Sequence, residues 1–274
     1  MHTERYPYPL CIQLAAPELP DSPEFLDTLE LLADCGFYGV ELNLLDFSQP
    51  YTDELSAVLK RCGLRLTMIA SGAYAGRNGL SLSSPDELVR AESAQALGMM
   101  LDCAARFKAG VICGFIKGGP SGDKEAAGRQ LRRSLEELDR LGKTAVAPLY
   151  LEATNHYEAL LVNTLEEGAA LTAGLSQPVY ILPDTYHMNI EETNTAAALT
   201  RYHGHYHNLH VSDNNRYFPG IGAIDFAGIM RLLDGLCYDG TITIEGRVLK
   251  GLREDAAFSA RYLAGLKAQL DIWK

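Results

Sequence analysis

The chain has 274 residues, 47% of them hydrophobic, which is enough for one large domain or two small ones. Its formal net charge of −11 disfavours nucleic acid as the main ligand, because proteins that bind nucleic acids usually present basic surfaces. No run approaches the roughly 20 apolar residues that span a bilayer, and the first residues lack a signal-peptide stretch, so we expect a cytoplasmic protein that binds neither membranes nor nucleic acids.

Short apolar segments alternate with longer amphipathic ones along the whole chain. Several of the short segments are unbroken apolar runs, as expected for parallel strands that are buried on both faces. The eight predicted strands cover residues 10–15, 39–44, 65–70, 110–116, 148–153, 179–184, 206–211 and 241–245.

Predicted helices lie between and after these strands. Two of them open with a serine, a proline and an acidic residue, a pattern typical of helix starts, and we expect Ser22 and Asp225 to cap helices. The predicted helices cover residues 22–36, 51–62, 84–108, 124–141, 164–175, 194–202, 225–236 and 256–270.

Eight strands alternating with eight helices, without a linker-like stretch, predict an α/β fold, a single (β/α)8 TIM barrel over residues 1–274. An open doubly wound sheet is the alternative. It is disfavoured because no GxGxxG pattern follows a strand, and the glycine-rich "GFIKGGPSG" after the fourth strand has neither that spacing nor the P-loop pattern.

Four ligand-type residues stand where predicted strands five to eight end, namely Glu152, Asp184, His210 and Glu245. Active sites of such barrels form at the C-terminal ends of the strands, and neighbouring strands lie about 4.8 Å apart, so the four can converge on one ion. Three carboxylates and one imidazole suit Mn²⁺ or Mg²⁺, with Co²⁺ or Zn²⁺ also compatible. Taken singly, each carboxylate could instead cap a helix or form half of a salt bridge.

The segments around these residues resemble the xylose isomerase-like barrel superfamily, and most closely its ketose 3-epimerase branch. The similar pieces are "LEATNHYEALLVNTLEE", "DTYHMNIEE", "HNLHVSDNNRYFPGIGAIDF" and "YDGTITIE", with weaker upstream similarity in "GLSLSSPDELVRAES" and "GFIKGG". The resemblance implies that the four residues named above are metal ligands and that the protein forms homo-oligomers. It also implies substrate-binding roles for Glu158, His187 and Arg216.

The chemistry implied by the resemblance is epimerisation of the carbon next to a ketose carbonyl. A divalent ion, with Mn²⁺ as the first expectation, would stabilise the developing enediolate as a Lewis acid. The reaction needs a base on one face of the sugar and an acid on the other, and the resemblance assigns these roles to Glu152 and Glu245. We therefore expect a metal-dependent sugar epimerase whose partner is a monosaccharide.

The sequence departs from the sugar 3-epimerases at the predicted mouth of the barrel. Several of those enzymes place tryptophan against the sugar, whereas the only tryptophan here is Trp273. The apolar wall is therefore expected to come from other side chains, such as Tyr74, Tyr157 or Phe115.

Two extra cations at the mouth suggest an acidic substrate. The sugar 3-epimerases often carry a proline after the last glutamate, whereas Gly246 and Arg247 follow Glu245 here. Lys117, after strand four, is the second cation. The substrate could thus be a keto sugar acid whose carboxylate meets Lys117, Arg216 or Arg247. Alternatively, Lys117 and Arg247 pair with nearby acids and the sugar is neutral.

Three other functions remain open on the sequence. An aldose–ketose isomerase would use the same metal site but move hydrogen between adjacent carbons. A zinc-dependent abasic-site endonuclease shares the barrel and an Asp-x-x-His pattern like that of Asp184 and His187, but it needs histidines on earlier strands, and none lies between His2 and His156. A non-catalytic sugar-binding barrel would be expected to lose one of the two catalytic glutamates.

Overall fold

The structure, a computed structural model, describes residues 8–271. Its centre is a sheet of eight parallel strands: β1 (Leu10–Ala15), β2 (Gly39–Asn43), β3 (Arg65–Ala70), β4 (Gly110–Cys113), β5 (Leu149–Glu152), β6 (Val179–Leu182), β7 (Asn208–Val211) and β8 (Thr241–Ile244). They pair in the order β6-β5-β4-β3-β2-β1-β8-β7 and curl into a nearly closed barrel. This arrangement confirms the predicted TIM barrel.

The barrel closes between β6 and β7 without a regular ladder. Two backbone hydrogen bonds span the gap, from Ile181 N to His205 O at 2.9 Å and from His210 N to Pro183 O at 2.9 Å. An isolated parallel bridge joins Asp184 to His210. Two of the predicted metal ligands therefore face each other across the point of closure.

Helices pack around the barrel, and within residues 8–271 there are ten: α1 (Pro23–Asp34), α2 (Gln49–Arg61), α3 (Gly72–Asn78), α4 (Glu87–Phe107), α5 (Lys124–Arg140), α6 (Leu165–Thr172), α7 (Thr185–Glu191), α8 (Thr195–Arg201), α9 (Phe226–Gly235) and α10 (Leu252–Asp271). None of them is long and apolar enough to cross a membrane. Eight correspond to predicted helices. The other two, α3 and α7, are short segments after β3 and β6 that the sequence analysis missed, because so few residues show no helical periodicity.

The predicted continuation of strand four to residue 116 is wrong. Phe115–Lys117 form a 3₁₀ turn instead, because the backbone bends at Gly114, whose φ and ψ are −90° and −109°. The turn ends at Gly118 with φ +134°, a conformation open mainly to glycine. The bend brings this loop back over the end of the barrel, towards the cavity described below.

The predicted helix caps are partly corrected. Asp225 caps α9 as expected, since its carboxylate accepts a hydrogen bond from Gly228 N at 2.9 Å. Ser22 makes no side-chain cap bond at the start of α1. The helix predicted to begin at Ser84 begins two residues later, because the cap of α4 is Asp86, which accepts from Leu88 N at 2.9 Å.

The strands are enclosed on both sides, which explains their unbroken apolar runs. Every residue of β4, β5 and β7 is buried. Four polar side chains that lie within strands are nevertheless fully buried, and they belong to β2, β7 and β8: Glu41, Asn208, His210 and Thr243. The interior of the barrel is therefore polar beneath its C-terminal end.

Candidate metal centre

The four predicted ligands converge at the C-terminal end of the barrel. Glu152 ends β5, His210 lies in β7, and Asp184 and Glu245 follow β6 and β8. Each offers one ligand atom, and these four atoms all lie within 4.8 Å of one another. The cluster is buried apart from Glu245, which is partly exposed towards the cavity.

His210 is held between two carboxylates. Its Nδ1 lies 2.7 Å from Glu245 Oε2, and its Nε2 lies 2.9 Å from Glu41 Oε2. Burial alone would lower the pKa of His210, but the charges of Glu41 and Glu245 outweigh it and raise the pKa. The contact with Glu41 directs Nδ1 towards the three other ligands, in the way a carboxylate commonly orients a metal-binding histidine.

Glu41 was not singled out by the sequence analysis. Its carboxylate is fully buried and also accepts hydrogen bonds from Asn208 Nδ2 and Thr243 Oγ1, both at 2.7 Å, so every oxygen is used. An ionisable residue inside the apolar run "GVELN" was the available signal, because a buried carboxylate is costly unless it has partners.

Arg216 contacts two of the four ligand residues. Its guanidinium lies 2.6 Å from Asp184 Oδ2 and 3.1 Å from Glu245 Oε2, and it stacks on the Tyr186 ring at 4.9 Å. Arg216 itself has a φ of +64°. The buried Asp213 stabilises the loop that carries Arg216. Its carboxylate accepts backbone N–H hydrogen bonds from Gly220, Gly222 and Ile224.

The two glutamates expected to act as acid and base have opposite pKa shifts. Burial, and secondarily the charge of Glu245, raise the pKa of Glu152 to about 7. Burial also acts to raise the pKa of Glu245, but Arg216 and His210 outweigh it and lower that pKa. Paired carboxylates whose pKa values are pushed apart can hold and release a proton near neutral pH.

His187 faces the cavity with one defined nitrogen. Its Nδ1 lies 3.3 Å from Asn155 N and 2.7 Å from Asn155 Nδ2, two donors, so Nδ1 accepts and the proton is assigned to Nε2. His187 Nε2 lies 3.9 Å from Glu152 Oε1. Asn155 Nδ2 also donates to Glu158 Oε1 at 3.0 Å, so one amide links two of the predicted substrate-binding residues, Glu158 and His187.

A cavity of about 420 Å³ opens beside this cluster. Its lining includes five of the predicted site residues: Glu152, Glu158, His187, Arg216 and Glu245. Thr154, after β5, also lines it, and residues from the first four strands and their loops complete it, namely Gln13, Asn43, Ala70, Ser71, Gly72, Ala73, Ile112, Gly114 and Phe115. Of the three aromatic side chains suggested for the wall, only Phe115 lines this cavity.

The two extra cations do not line the cavity. Lys117 is fully buried, and its Nζ donates to Thr154 Oγ1, so the hydroxyl of Thr154 stands at the wall while the ammonium does not. Burial lowers the pKa of Lys117, against the opposing charge of Glu152. Arg247 donates to Asn215 O at 2.9 Å and stacks on Tyr217.

The donor set fits a divalent cation. Three carboxylates and one imidazole nitrogen point at one buried spot, and hard carboxylate oxygens with an imidazole are ligands that Mn²⁺ and similar ions accept. No cysteine belongs to the cluster, which disfavours a structural zinc.

Comparison with known proteins places this fold and site in a family. Residues 29–263 match the family described as xylose isomerase-like TIM barrel. An L-ribulose 3-epimerase from Mesorhizobium japonicum is 30% identical over 224 residues, which cover 80% of this chain and 74% of that protein. The crystal structure of apo 3-keto-D-glucoside 4-epimerase from E. coli superposes with a TM-score of 0.76 at 25% identity, covering 95% of this chain and 99% of that one.

The chain therefore belongs to the xylose isomerase-like TIM barrel family. The resemblance to its ketose 3-epimerase branch is confirmed as well by the L-ribulose 3-epimerase just named, and a D-psicose 3-epimerase from Enterocloster bolteae is 35% identical over 130 residues. That match spans 47% of this chain and 43% of the length of the relative.

Gly114 leaves the space that Glu152 occupies. A Cβ at position 114 would lie 2.6 Å from Glu152 Oε2, so Gly114→Ala is expected to displace the carboxylate and weaken Mn²⁺ binding about tenfold or more. Gly119→Ala in the same loop is the control, because a Cβ there meets nothing within 4 Å. Titration of free Mn²⁺ by electron paramagnetic resonance measures both, and equal affinities would contradict the prediction.

Loading with Mn²⁺ is expected to release protons and to tighten as the pH rises. The raised pKa values of Glu152 and His210 favour their protonated forms, whereas an ion binds the carboxylate and the neutral imidazole. Each proton released raises the apparent affinity by about tenfold per pH unit. Calorimetric titration from about pH 6 to about pH 8, in buffers of different ionisation enthalpy, counts these protons. An affinity independent of pH would refute the assignment.

Glu41→Gln is expected to weaken Mn²⁺ binding by about 10- to 100-fold. The substitution removes the charge beside His210 and turns an amide N–H towards one of the four donors from which Glu41 now accepts hydrogen bonds. Glu125→Gln, on the exposed face of α5, serves as the control. Far-UV circular dichroism should show both variants folded, and unchanged Mn²⁺ affinity of Glu41→Gln would count against a role in orienting His210.

Proposed function

We propose that the protein is a divalent-metal-dependent sugar epimerase that inverts the carbon next to a ketone. The observation that carries this proposal is the pair Glu152 and Glu245, which stand at the ends of two different strands and border one cavity beside Asp184 and His210. The relatives named above, 3-epimerases and a 4-epimerase, support the same class of reaction.

Glu152, Asp184, His210 and Glu245 would hold the ion. When bound, a divalent ion supplies Lewis-acid stabilisation of negative charge on the sugar oxygens. Mn²⁺ is the proposed metal, because three carboxylates and one imidazole are a ligand set that this ion accepts. Reconstituting metal-free protein with Mn²⁺, Mg²⁺, Co²⁺ or Zn²⁺ and comparing the activities identifies the preferred ion.

The proton transfers are assigned to the carboxylates of Glu152 and Glu245. One of them takes the proton from the carbon beside the ketone, and the other returns a proton to the opposite face. The configuration of the substrate decides which of the two acts first.

Three further side chains are proposed to position the sugar. Nε2–H of His187 and the guanidinium of Arg216 are donors at the cavity wall and suit the oxygens near the reacting carbon. Glu158, held by Asn155, is proposed to accept a hydrogen bond from a sugar hydroxyl. A direct contact between Lys117 and the substrate stays a prediction. Its ammonium is buried behind Thr154, so the hydroxyl of Thr154 is the group at the cavity wall.

A neutral monosaccharide is the proposed substrate, in preference to a keto sugar acid. Arg216 is the one cationic side chain that lines the cavity within the described part of the chain, and it is already paired with Asp184 and Glu245. A sugar carboxylate would therefore find no unpaired cation at the wall. Homo-oligomerisation and a cytoplasmic location remain predictions, the former open to light scattering.

An aldose–ketose isomerase and a non-catalytic sugar-binding barrel are the alternatives. The former would move the carbonyl to the adjacent carbon, and the latter would leave the substrate unchanged. Incubating the Mn²⁺-loaded protein in D₂O with neutral ketoses, 3-keto glycosides and keto-aldonates distinguishes them. The proposal expects one deuterium at the inverted carbon and an unmoved carbonyl; isomerised product or no exchange on any sugar would overturn it.

Glu152→Gln and Glu245→Gln are each expected to lower the turnover number by about 10²- to 10⁴-fold, because each removes one of the two proton-transferring groups. Since both residues are also proposed ligands, bound Mn²⁺ is measured in each variant and rates are compared at equal occupancy. Glu125→Gln is the control. Full activity of either site variant at full occupancy would remove that residue from the mechanism.

A further inference from the structure

Asn155 lies behind the cavity, between two of the side chains proposed to contact the sugar. It follows β5, is 1% exposed and does not line the cavity. Glu158 and His187 do line the cavity, and both contact the side-chain amide of Asn155. Any influence of Asn155 on a bound sugar must therefore pass through these two residues.

The amide of Asn155 has one orientation that satisfies its neighbours. Its Oδ1 accepts from the backbone N–H of Tyr157 at 3.0 Å, which places Nδ2 3.0 Å from Glu158 Oε1 and 2.7 Å from His187 Nδ1. A flipped amide would set Nδ2 against the N–H of Tyr157 and Oδ1 against the carboxylate of Glu158. Because an amide nitrogen carries two hydrogens, Nδ2 can donate to both Glu158 and His187.

This arrangement decides which nitrogen of His187 can donate. Nδ1 faces two donors, Asn155 Nδ2 and, at 3.3 Å, Asn155 N, so it acts as an acceptor. A neutral imidazole carries a single proton, which is then on Nε2, the nitrogen that lies 3.9 Å from Glu152 Oε1 on the side of the metal ligands. The same amide holds Oε1 of Glu158 as an acceptor. Asn155 thus sets one donor and one acceptor.

The backbone of this loop is held without the Asn155 side chain. Asn155 O accepts from the N–H groups of Glu158 and Ala159, both at 3.0 Å. His156 N donates to Glu191 Oε1 on α7 at 2.7 Å, which ties the loop to that helix. Substitutions at position 155 therefore test the hydrogen bonds of the side chain rather than the course of the loop.

We propose that Asn155 is a positioning residue that keeps His187 an Nε2–H donor and Glu158 an acceptor for the sugar. This inference rests on the proposed function, in which His187 and Glu158 contact the substrate. A donor and an acceptor held by one amide suit two oxygens of one sugar, of which the first accepts a hydrogen bond and the second donates one. Asn155 acts through its partners and makes no contact with the sugar itself.

Nitrogen NMR of protein labelled with ¹⁵N-histidine reads the tautomer of His187. Spectra are recorded with Mg²⁺, which is diamagnetic, at about pH 8, where an unperturbed histidine is neutral, and His187→Gln identifies the signals. The wild type should carry the proton on Nε2. Asn155→Asp puts an acceptor oxygen in place of Nδ2, so the proton should move to Nδ1. A wild type protonated at Nδ1, or an unchanged tautomer in Asn155→Asp, would overturn the inference.

Asn155→Ala introduces no charge and tests the same inference by kinetics. For D-psicose with Mn²⁺, kcat/KM is expected to fall about tenfold, because the hydrogen bonds of the amide are lost. In a Glu158→Ala background the further loss should be smaller, since a positioning residue acts through its partner. A purely structural role gives the same loss in both backgrounds, and equal losses would count against the proposal.

Asn163→Ala is the matched control in the same loop. Asn163 is also buried, and its Nδ2 donates to the carbonyl oxygens of Thr154 and Ala159 rather than to His187 or Glu158. Its loss should lower the melting temperature and leave the tautomer of His187 unchanged. A tautomer shift in Asn163→Ala as large as that in Asn155→Asp would show that loop packing, and not the amide of Asn155, sets the tautomer.

Calorimetric binding of D-psicose to the Mn²⁺-loaded protein separates this inference from the proposed function. Wild-type binding without turnover, weakened by Asn155→Ala, would support the positioning role and refute the epimerase. Turnover that Asn155→Ala leaves unchanged would do the reverse. A wild type that does not bind D-psicose would contradict the assignment of His187 and Glu158 to a sugar, and with it the inference.

Discussion

The burial of four carboxylates around a single imidazole is the constraint on which the rest of the site depends. Glu41, Glu152, Asp184 and Glu245 all lie near His210, and a buried charge without compensation is strongly unfavourable. Hydrogen bonds saturate Glu41, and Arg216 offsets two others, yet the cluster keeps an excess of negative charge. A divalent cation is the ligand that such an excess suits.

The fold divides the cavity into two chemically different halves. Strands β5 to β8 bring the ionisable groups, and their loops add the donors His187 and Arg216. Strands β1 to β4 bring amides, a serine and the Phe115 ring. Charge is thus concentrated on one side of the cavity, while the opposite wall offers neutral polar groups and one aromatic ring.

The sequence was informative where a residue type broke a pattern. Glu152, Asp184, His210 and Glu245 were found because each stands where an apolar run ends, and strand ends meet at one edge of a parallel barrel. Glu41 was missed because its role depends on partners from other strands. The depth of Lys117 was also unpredictable, since it is set by the bend at Gly114.

The closure between β6 and β7 links the chemistry to the mechanics of the barrel. Regular pairing lapses there within residues 8–271, and Asp184 and His210 stand on its two sides. An ion held by both residues would connect β6 to β7 where the barrel has no regular strand pairing. Ion binding would therefore stabilise the folded barrel at this closure.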